Sequence, residues 1–224
     1  MTLDFAARYF LMPNKLKYSQ DKEEKDIDRM LFDFCCGNLK KHEIEPILQK
    51  YNALLMYLDL IAKKHNKSMY DEDVLEAYWI GNELLDSISS EDMKKHFEVE
   101  MTKAKAPKKI IKDVTNSIPE NCHPHHSFHV LHIQAITKDP NLMYGNFRMC
   151  KIDHGKVKQI KQNLLILQKD KNEKTIGYDP EFLKNVKVGD VIAYHWDFAI
   201  DKITKKQSTH LDHYTEKHKK VMNV

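Results

Sequence analysis

No apolar run in this 224-residue chain approaches the ~20 residues that a membrane-spanning helix needs, so no membrane role is expected. The opening MTLDFAARYF lacks a basic stretch followed by a long apolar segment, and no secretory signal is expected either. An excess of charge of one sign is also missing. Lys and Arg number 36 against 33 Asp and Glu, a formal +3. That bias is too weak for a nucleic-acid binder, which concentrates basic residues on one face. Runs such as Lys205-Lys206 and Lys219-Lys220 read as solvated helix surface. The four cysteines (Cys35, Cys36, Cys122 and Cys150) are too few for a disulfide framework in a chain this long. Reduced thiols and a cytoplasmic location are the matching expectation. Absent too are a Gly-rich phosphate loop, a Ser-His-Asp layout and an HExxH pair, which weighs against nucleotide chemistry and the common hydrolases.

What is present is, first, helix. IDRMLFDFCCGNLK (27–40) spaces Ile27, Met30, Leu31 and Phe34 at helical intervals, and Gly37-Asn38 suits its end. EIEPILQKYNALLMYLDLIAKKH (43–65) carries the broadest apolar stripe, with Pro46 placed where a first turn tolerates it. DEDVLEAYWIGNELLDSI (71–88) opens on acidic residues that favour the positive end of a helix dipole, with Tyr78-Trp79 as core packing. SSEDMKKHFEVEMTK offers Ser89 or Ser90 as a cap, and KAPKKIIKDV adds a short helix.

From Pro119 to about Ile203 the pattern becomes short β-branched or apolar runs separated by turn residues. SFHVLHIQAI, FRMCKI, GKVKQI, NLLILQ and DVIAYHWDFAI all read as strands, and a helix near 206–220 closes the chain. The expected fold is α+β: an N-terminal helical domain (1–118), then a small antiparallel β-barrel of OB- or SH3-like size with a C-terminal helix (119–224).

CHPHHSFHVLHI (122–133) places Cys122, His123, His125, His126, His129 and His132 within twelve residues. As a strand after a turn set by Pro124, it gathers His125 and His126 beside His129 as a three-ligand metal pocket. As a helix, it would put His125, His129 and His132 on one face. Both geometries allow His125 with His129. His123 and His132 read as ordinary hydrogen-bonding residues, Cys122 and the Cys35-Cys36 pair as reduced packing residues, and His210, His213 and His218 as solvated.

MCKIDHGKV (149–157), VKVGDVIAYHWDFAIDKI (186–203) and the terminal helix together resemble the HypC/HupF family of nickel–iron hydrogenase maturation chaperones. Met149, Cys150, Lys156 and Val157 fit that family's opening motif, with His154 at its proline position. Val188-Gly189-Asp190, His195 and Phe198-Ala199 fit its second, with Asp197 in place of the usual glycine. The resemblance implies a HypC-like barrel and a metal pair of Cys150 and His195 holding an iron centre that carries cyanide and carbon monoxide. Thiolate with imidazole suits such iron. ARYFLMPNKLKY, EAYWIGNELLD, PHHSFHV and AYHWD resemble an uncharacterised archaeal and bacterial family over the whole chain, one that supplies no activity.

Three functions follow. The first is a metal-handling protein that coordinates iron or a metal fragment and passes it to a client metalloenzyme or another maturation protein. The second is a zinc- or iron-dependent metalloenzyme using His125, His126 and His129, with Asp197 or Glu120 as base. The third is a metal-free interaction protein. Asp197, Cys122 and His154 are the residues expected to support the metal ligands.

Overall fold

The structure is a computed structural model and describes residues 2–15, 26–49, 52–137 and 150–224. It is α+β: helices dominate the first part, a closed five-stranded barrel follows, and a helix ends the chain. Two compact units form, and they cut across the linear division at 118/119. One, the barrel unit, joins Met1–Tyr51 to Ile152–Thr209. The other, the helical unit, joins Asn52–Lys151 to His210–Val224.

The barrel unit begins with α1 (Thr2–Lys15), an element the strand-and-helix reading above did not anticipate. Leu3, Ala6, Ala7, Phe10 and Leu11 are buried at helical spacing, which makes the apolar stripe that folds it. Next come α2 (Ile27–Cys35) and α3 (Lys41–Leu48). Pro46 lies inside α3 rather than in its first turn, so one carbonyl of the preceding turn loses its ladder donor. Burial of Ile44, Ile47 and Leu48 holds the helix despite that loss.

The strands are β1 (Asp153–Lys161), β2 (Leu164–Lys169), β3 (Asn172–Gly177), β4 (Val191–His195) and β5 (Phe198–Ile203). They close in the order β1-β2-β3-β5-β4, and β4 returns to β1. All pairings are antiparallel except the short parallel contact of Gly177 with Phe198. Val157, Leu165, Leu167, Ile176, Ile192 and Ala199 fill the interior. DVIAYHWDFAI is therefore two strands, not one. Trp196 and Asp197 turn the chain with φ of +51° and +56°, the two positive values a tight hairpin turn demands. Arg8 ties α1 to the barrel, bonding Asp201 at 3.3 Å while pairing with Asp4 at 2.9 Å.

The helical unit holds α4 (Asn52–His65), α5 (Glu72–Trp79), a 3-10 turn (Glu83–Ser87), α6 (Ser90–Lys103), α7 (Lys108–Asn116) and α8 (His126–Thr137). The last helix, α9 (Lys205–Val221), counts with the barrel unit through Thr209 and with the helical unit from His210. Segment 43–65, expected as one helix, forms α3 and α4. Segment 71–88 breaks at Gly81, where φ is +93° and Asn82 starts the 3-10 turn by accepting the Leu84 N–H at 3.1 Å. Ser89 caps α6 with its hydroxyl on the Asp92 N–H (3.1 Å), and the Asp92 carboxylate answers on the Ser89 N–H (2.9 Å). Ser89→Ala is expected to cost about 1 kcal/mol, read as a lower midpoint in urea unfolding at unchanged slope.

SFHVLHIQAI, read as a strand, is helical: it lies within α8. Phe128, Leu131 and His132 share a buried face at i, i+3 and i+4, and packing along that stripe outweighs the β preference of the aromatic and branched residues. The first half of FRMCKI, with Met149, falls outside the described residues; Cys150 is helical, not part of a strand.

Candidate functional site

The histidine-rich segment enters α8 through a loop, Cys122–His125, whose last residue accepts the His129 backbone N–H at 3.0 Å and so opens the helix. His123, His125, His126 and His132 are all buried. They do not converge on one point. Hydrogen bonds divide them into three groups, each within the helical unit.

The first group runs in one direction. The His123 backbone N–H donates to His218 Nε2 (3.1 Å), which fixes the neutral His218 proton on Nδ1. His218 Nδ1–H then donates to Ser127 Oγ (2.8 Å), and the Ser127 hydroxyl donates to His125 Nδ1 (2.8 Å). The Ser127 N–H reaches the same His125 nitrogen at 3.1 Å. The His125 proton is thereby placed on Nε2, directed toward the Ile80 backbone without closing a well-formed hydrogen bond. The His123 ring donates from Nδ1 to the Ile88 carbonyl (3.1 Å) and accepts from Lys217 Nζ at Nε2 (2.5 Å). Protonating any of these rings would turn an acceptor nitrogen into a donor facing another donor. Burial holds them neutral: His125 is pushed down to about 3, His218 lies well below the usual imidazole value, and His123 is also lowered. His218, expected to be solvated, is fully enclosed; His213 is exposed, and half-buried His210 donates from Nδ1 to the Gly81 carbonyl (3.1 Å).

In the second group, His132 Nε2–H donates to Ser117 Oγ (2.8 Å), whose own hydroxyl donates to the Val114 carbonyl (2.7 Å). Burial lowers His132 to about 4. His132 is thus the hydrogen-bonding residue expected of it.

The third group carries ligand geometry. Tyr78, on α5, bonds His129 Nδ1 at 2.6 Å and faces His126 Nδ1 at 3.4 Å. His129 keeps some exposed surface, yet its ring is stacked on Tyr57 (4.6 Å between centroids), and burial brings it to about 3. The opposite nitrogen of His126, Nε2, donates to the Cys150 carbonyl (2.9 Å) and lies 4.0 Å from the Cys150 Sγ. A tetrahedral ion with bonds of about 2.3 Å to sulfur and 2.0–2.1 Å to nitrogen separates two ligand atoms by about 3.5 Å. A shift of a few tenths of an ångström at each end closes that gap. The Tyr78 hydroxyl supplies the partner that a metal-binding imidazole needs on its far side: with the His126 proton moved to Nδ1, Tyr78 accepts it and donates onward to His129.

Of the other candidates, Cys122 is buried and burial pushes its thiol up to about 12, which leaves it a packing residue whose N–H donates to Ser90 Oγ (3.0 Å). Cys35 is buried and Cys36 half-buried, and none of the four cysteines forms a disulfide. Glu120 is exposed. In the barrel unit, His195 ends β4, is fully buried, and has Nδ1 3.0 Å from the Tyr9 carbonyl of α1. Asp197 pairs with Lys174 at 2.6 Å, and His154 lies on β1 opposite Ala193, its N–H on Asp153 Oδ1 (2.8 Å). Of His125, His126 and His129, named above as a metal pocket, His125 bonds Ser127, His129 bonds Tyr78 and His126 faces the Cys150 thiol; the three do not form a common ligand group among the described residues. Tyr78, Ser127 and His218 are the hydrogen-bonding partners of these histidines that the motif alone did not reveal. The signal for His218 was its place with Leu211 and Tyr214 on one stripe of α9.

Among the described residues, no helix is long and apolar enough to cross a membrane. No curated protein and no solved structure matches the chain. The pattern of a family of unknown function, DUF6390, matches residues 2–224 from end to end, and the chain belongs to that family.

Proposed function

We propose that the protein handles a metal ion or metal fragment, with the Cys150 thiolate and His126 Nε2 as the ligand pair that the helical unit contributes. The observation that carries this reading is the 4.0 Å separation of those two atoms, with Tyr78 already placed behind the imidazole. A soft thiolate beside an imidazole suits iron, and zinc as the alternative. Two protein ligands leave the remaining coordination positions to the cargo's own ligands or to a receiving protein, a design fitted to transfer rather than permanent storage. The resemblance of residues 149–157 and 186–203 to hydrogenase maturation chaperones adds the direction of transfer, from a supplying maturation protein to a client metalloenzyme.

The test is anaerobic purification followed by elemental analysis and infrared spectroscopy in the cyanide and carbonyl region. Iron with bands in that region supports a maturation carrier; stoichiometric zinc without bands supports simple metal binding at the same pair. Cys150→Ala and His126→Asn are each expected to lower metal content at this pair by about tenfold or more. His195→Ala, in the barrel unit, measures whether the family's histidine role carries over. Unchanged uptake of thiolate-bound metal in Cys150→Ala would sink the reading.

A further inference from the structure

Away from the histidine-rich segment, α4 and α6 bring Asp59, His96 and Glu100 together. One ligand atom from each lies within 4.8 Å of the other two. His96 and Glu100 are one turn apart on α6, so their side chains share a face. The His96 side chain is only 10% exposed, and Nε2 is enclosed and makes no hydrogen bond. It nevertheless stands 3.4 Å from Asp59 Oδ2. The ring also meets the Met56 backbone, and with its proton on Nδ1 the Nε2 lone pair faces the carboxylates. Burial favours the neutral ring, lowering its affinity for a proton. In that tautomer two carboxylates and a lone pair are three acceptors around one place, a set that a cation satisfies.

A cation is there in part. Lys63 Nζ sits 2.5 Å from Asp59 Oδ2 and 3.4 Å from Glu100 Oε1, and Lys103 holds the same Glu100 oxygen at 2.8 Å. An ammonium brings only donors, so Lys63 serves the two carboxylates, while His96 Nε2 still has no bond. The Lys63 side chain is 56% exposed and free to swing outward. Asp59 and Glu100 line a groove of about 600 Å³ bordered by Leu55, Met56, Met69 and Met101, through which a hydrated ion can reach the two carboxylates.

We infer that Asp59, His96 and Glu100 form a second metal site, taking a divalent first-row ion such as Zn²⁺ in place of the Lys63 ammonium. The charge matches, two carboxylates against a divalent cation. One nitrogen and two oxygens leave at least one coordination position open to the groove. Hard oxygen ligands set it apart from the thiolate pair of Cys150 and His126, and it does not depend on that pair.

The experiment uses the full chain carrying Cys150→Ala, so that thiolate binding is removed. Zn²⁺ is titrated against a chromophoric chelator, and Co²⁺ reports the ligand field by its visible absorption. One equivalent is expected to bind, without thiolate-to-metal charge transfer. His96→Asn and Asp59→Asn should each weaken binding about tenfold or more. Lys63→Met, a surface change that leaves the fold intact, should tighten it several-fold by removing the competing ammonium. No uptake by Cys150→Ala, or uptake indifferent to both His96→Asn and Lys63→Met, overturns the inference. Either result leaves the Cys150-dependent reading to stand or fall on its own measurement.

Discussion

Acidification from pH 7 to pH 5.5 is expected to remove on the order of 5 kcal/mol of stability, enough to unfold a domain of ordinary stability. The cause is a set of imidazoles in the helical unit, His123, His125, His129, His132 and His218, all held below the usual value by burial. In the unfolded chain each takes up a proton near pH 6.5, whereas the folded chain resists until about 3 at His125 and His129 and about 4 at His132. Below the unfolded value the unfolded state therefore binds more protons, and stability falls with pH. The contribution is complete above about pH 6.5 and is lost progressively toward pH 4, at up to roughly 1.4 kcal/mol per unit for each histidine. Urea unfolding at a series of pH values measures it directly, with the midpoint moving steeply downward between pH 7 and pH 5. A midpoint that stays level across that interval would show that these rings are not kept neutral by the fold.

Gly81→Ala is expected to cost about 3–5 kcal/mol, from two sources that act together. Gly81 has a φ of +93°, a conformation in which a Cβ is strained wherever it occurs. That Cβ would also lie 2.3 Å from Cδ2 of Tyr214, so the ring cannot stay where it is. Tyr214 is anchored by its hydroxyl, which donates to the Asn82 carbonyl (3.1 Å) and Asp86 Oδ1 (2.8 Å), and it stacks on His125 at 5.6 Å. Moving it disturbs the start of the 3-10 turn and the ordered histidine chain at once. Gly37→Ala is the control. Gly37 has a similar φ of +87° but nothing within 4 Å of the added carbon, so only the backbone penalty, about 1 kcal/mol, applies. Thermal unfolding of the two variants side by side separates crowding from strain. Equal losses would mean that the Tyr214 contact is not rigid.

The α+β order, the barrel and the closing helix were legible because each rests on local periodicity. GKVKQI and NLLILQ, short apolar or branched runs between turn residues, become β1 and β2, and the segment near 206–220 becomes α9. Where short-range preference and long-range packing disagree, the reading fails. Phe128, Val130 and Ile133 favour strand, yet the segment is helix because Phe128, Leu131 and His132 find cover together. β3, the polar NEKTIG, offered almost no apolar alternation and is held by its ladder with β2. The histidines illustrate the deeper obstacle. Their spacing suggested a shared ion, but what each one binds is decided by Ser117, Tyr78 and above all His218, 91 residues from Ser127. Hydrogen-bond partners at that range leave no trace in a local motif.

The barrel unit is assembled from two stretches, with all of Asn52–Lys151 between them. A ribosome that has finished the first stretch has made α1 with α2 and α3, but not yet the strand β5 against which α1 also packs. At translation rates of about 5–20 residues per second, the roughly 150 residues from Asn52 to Ile203 take about 8–30 seconds, far longer than a helix takes to form. During synthesis, then, the helices of the first stretch wait for the strands of the second, and the nascent chain has reason to engage chaperones that shield them.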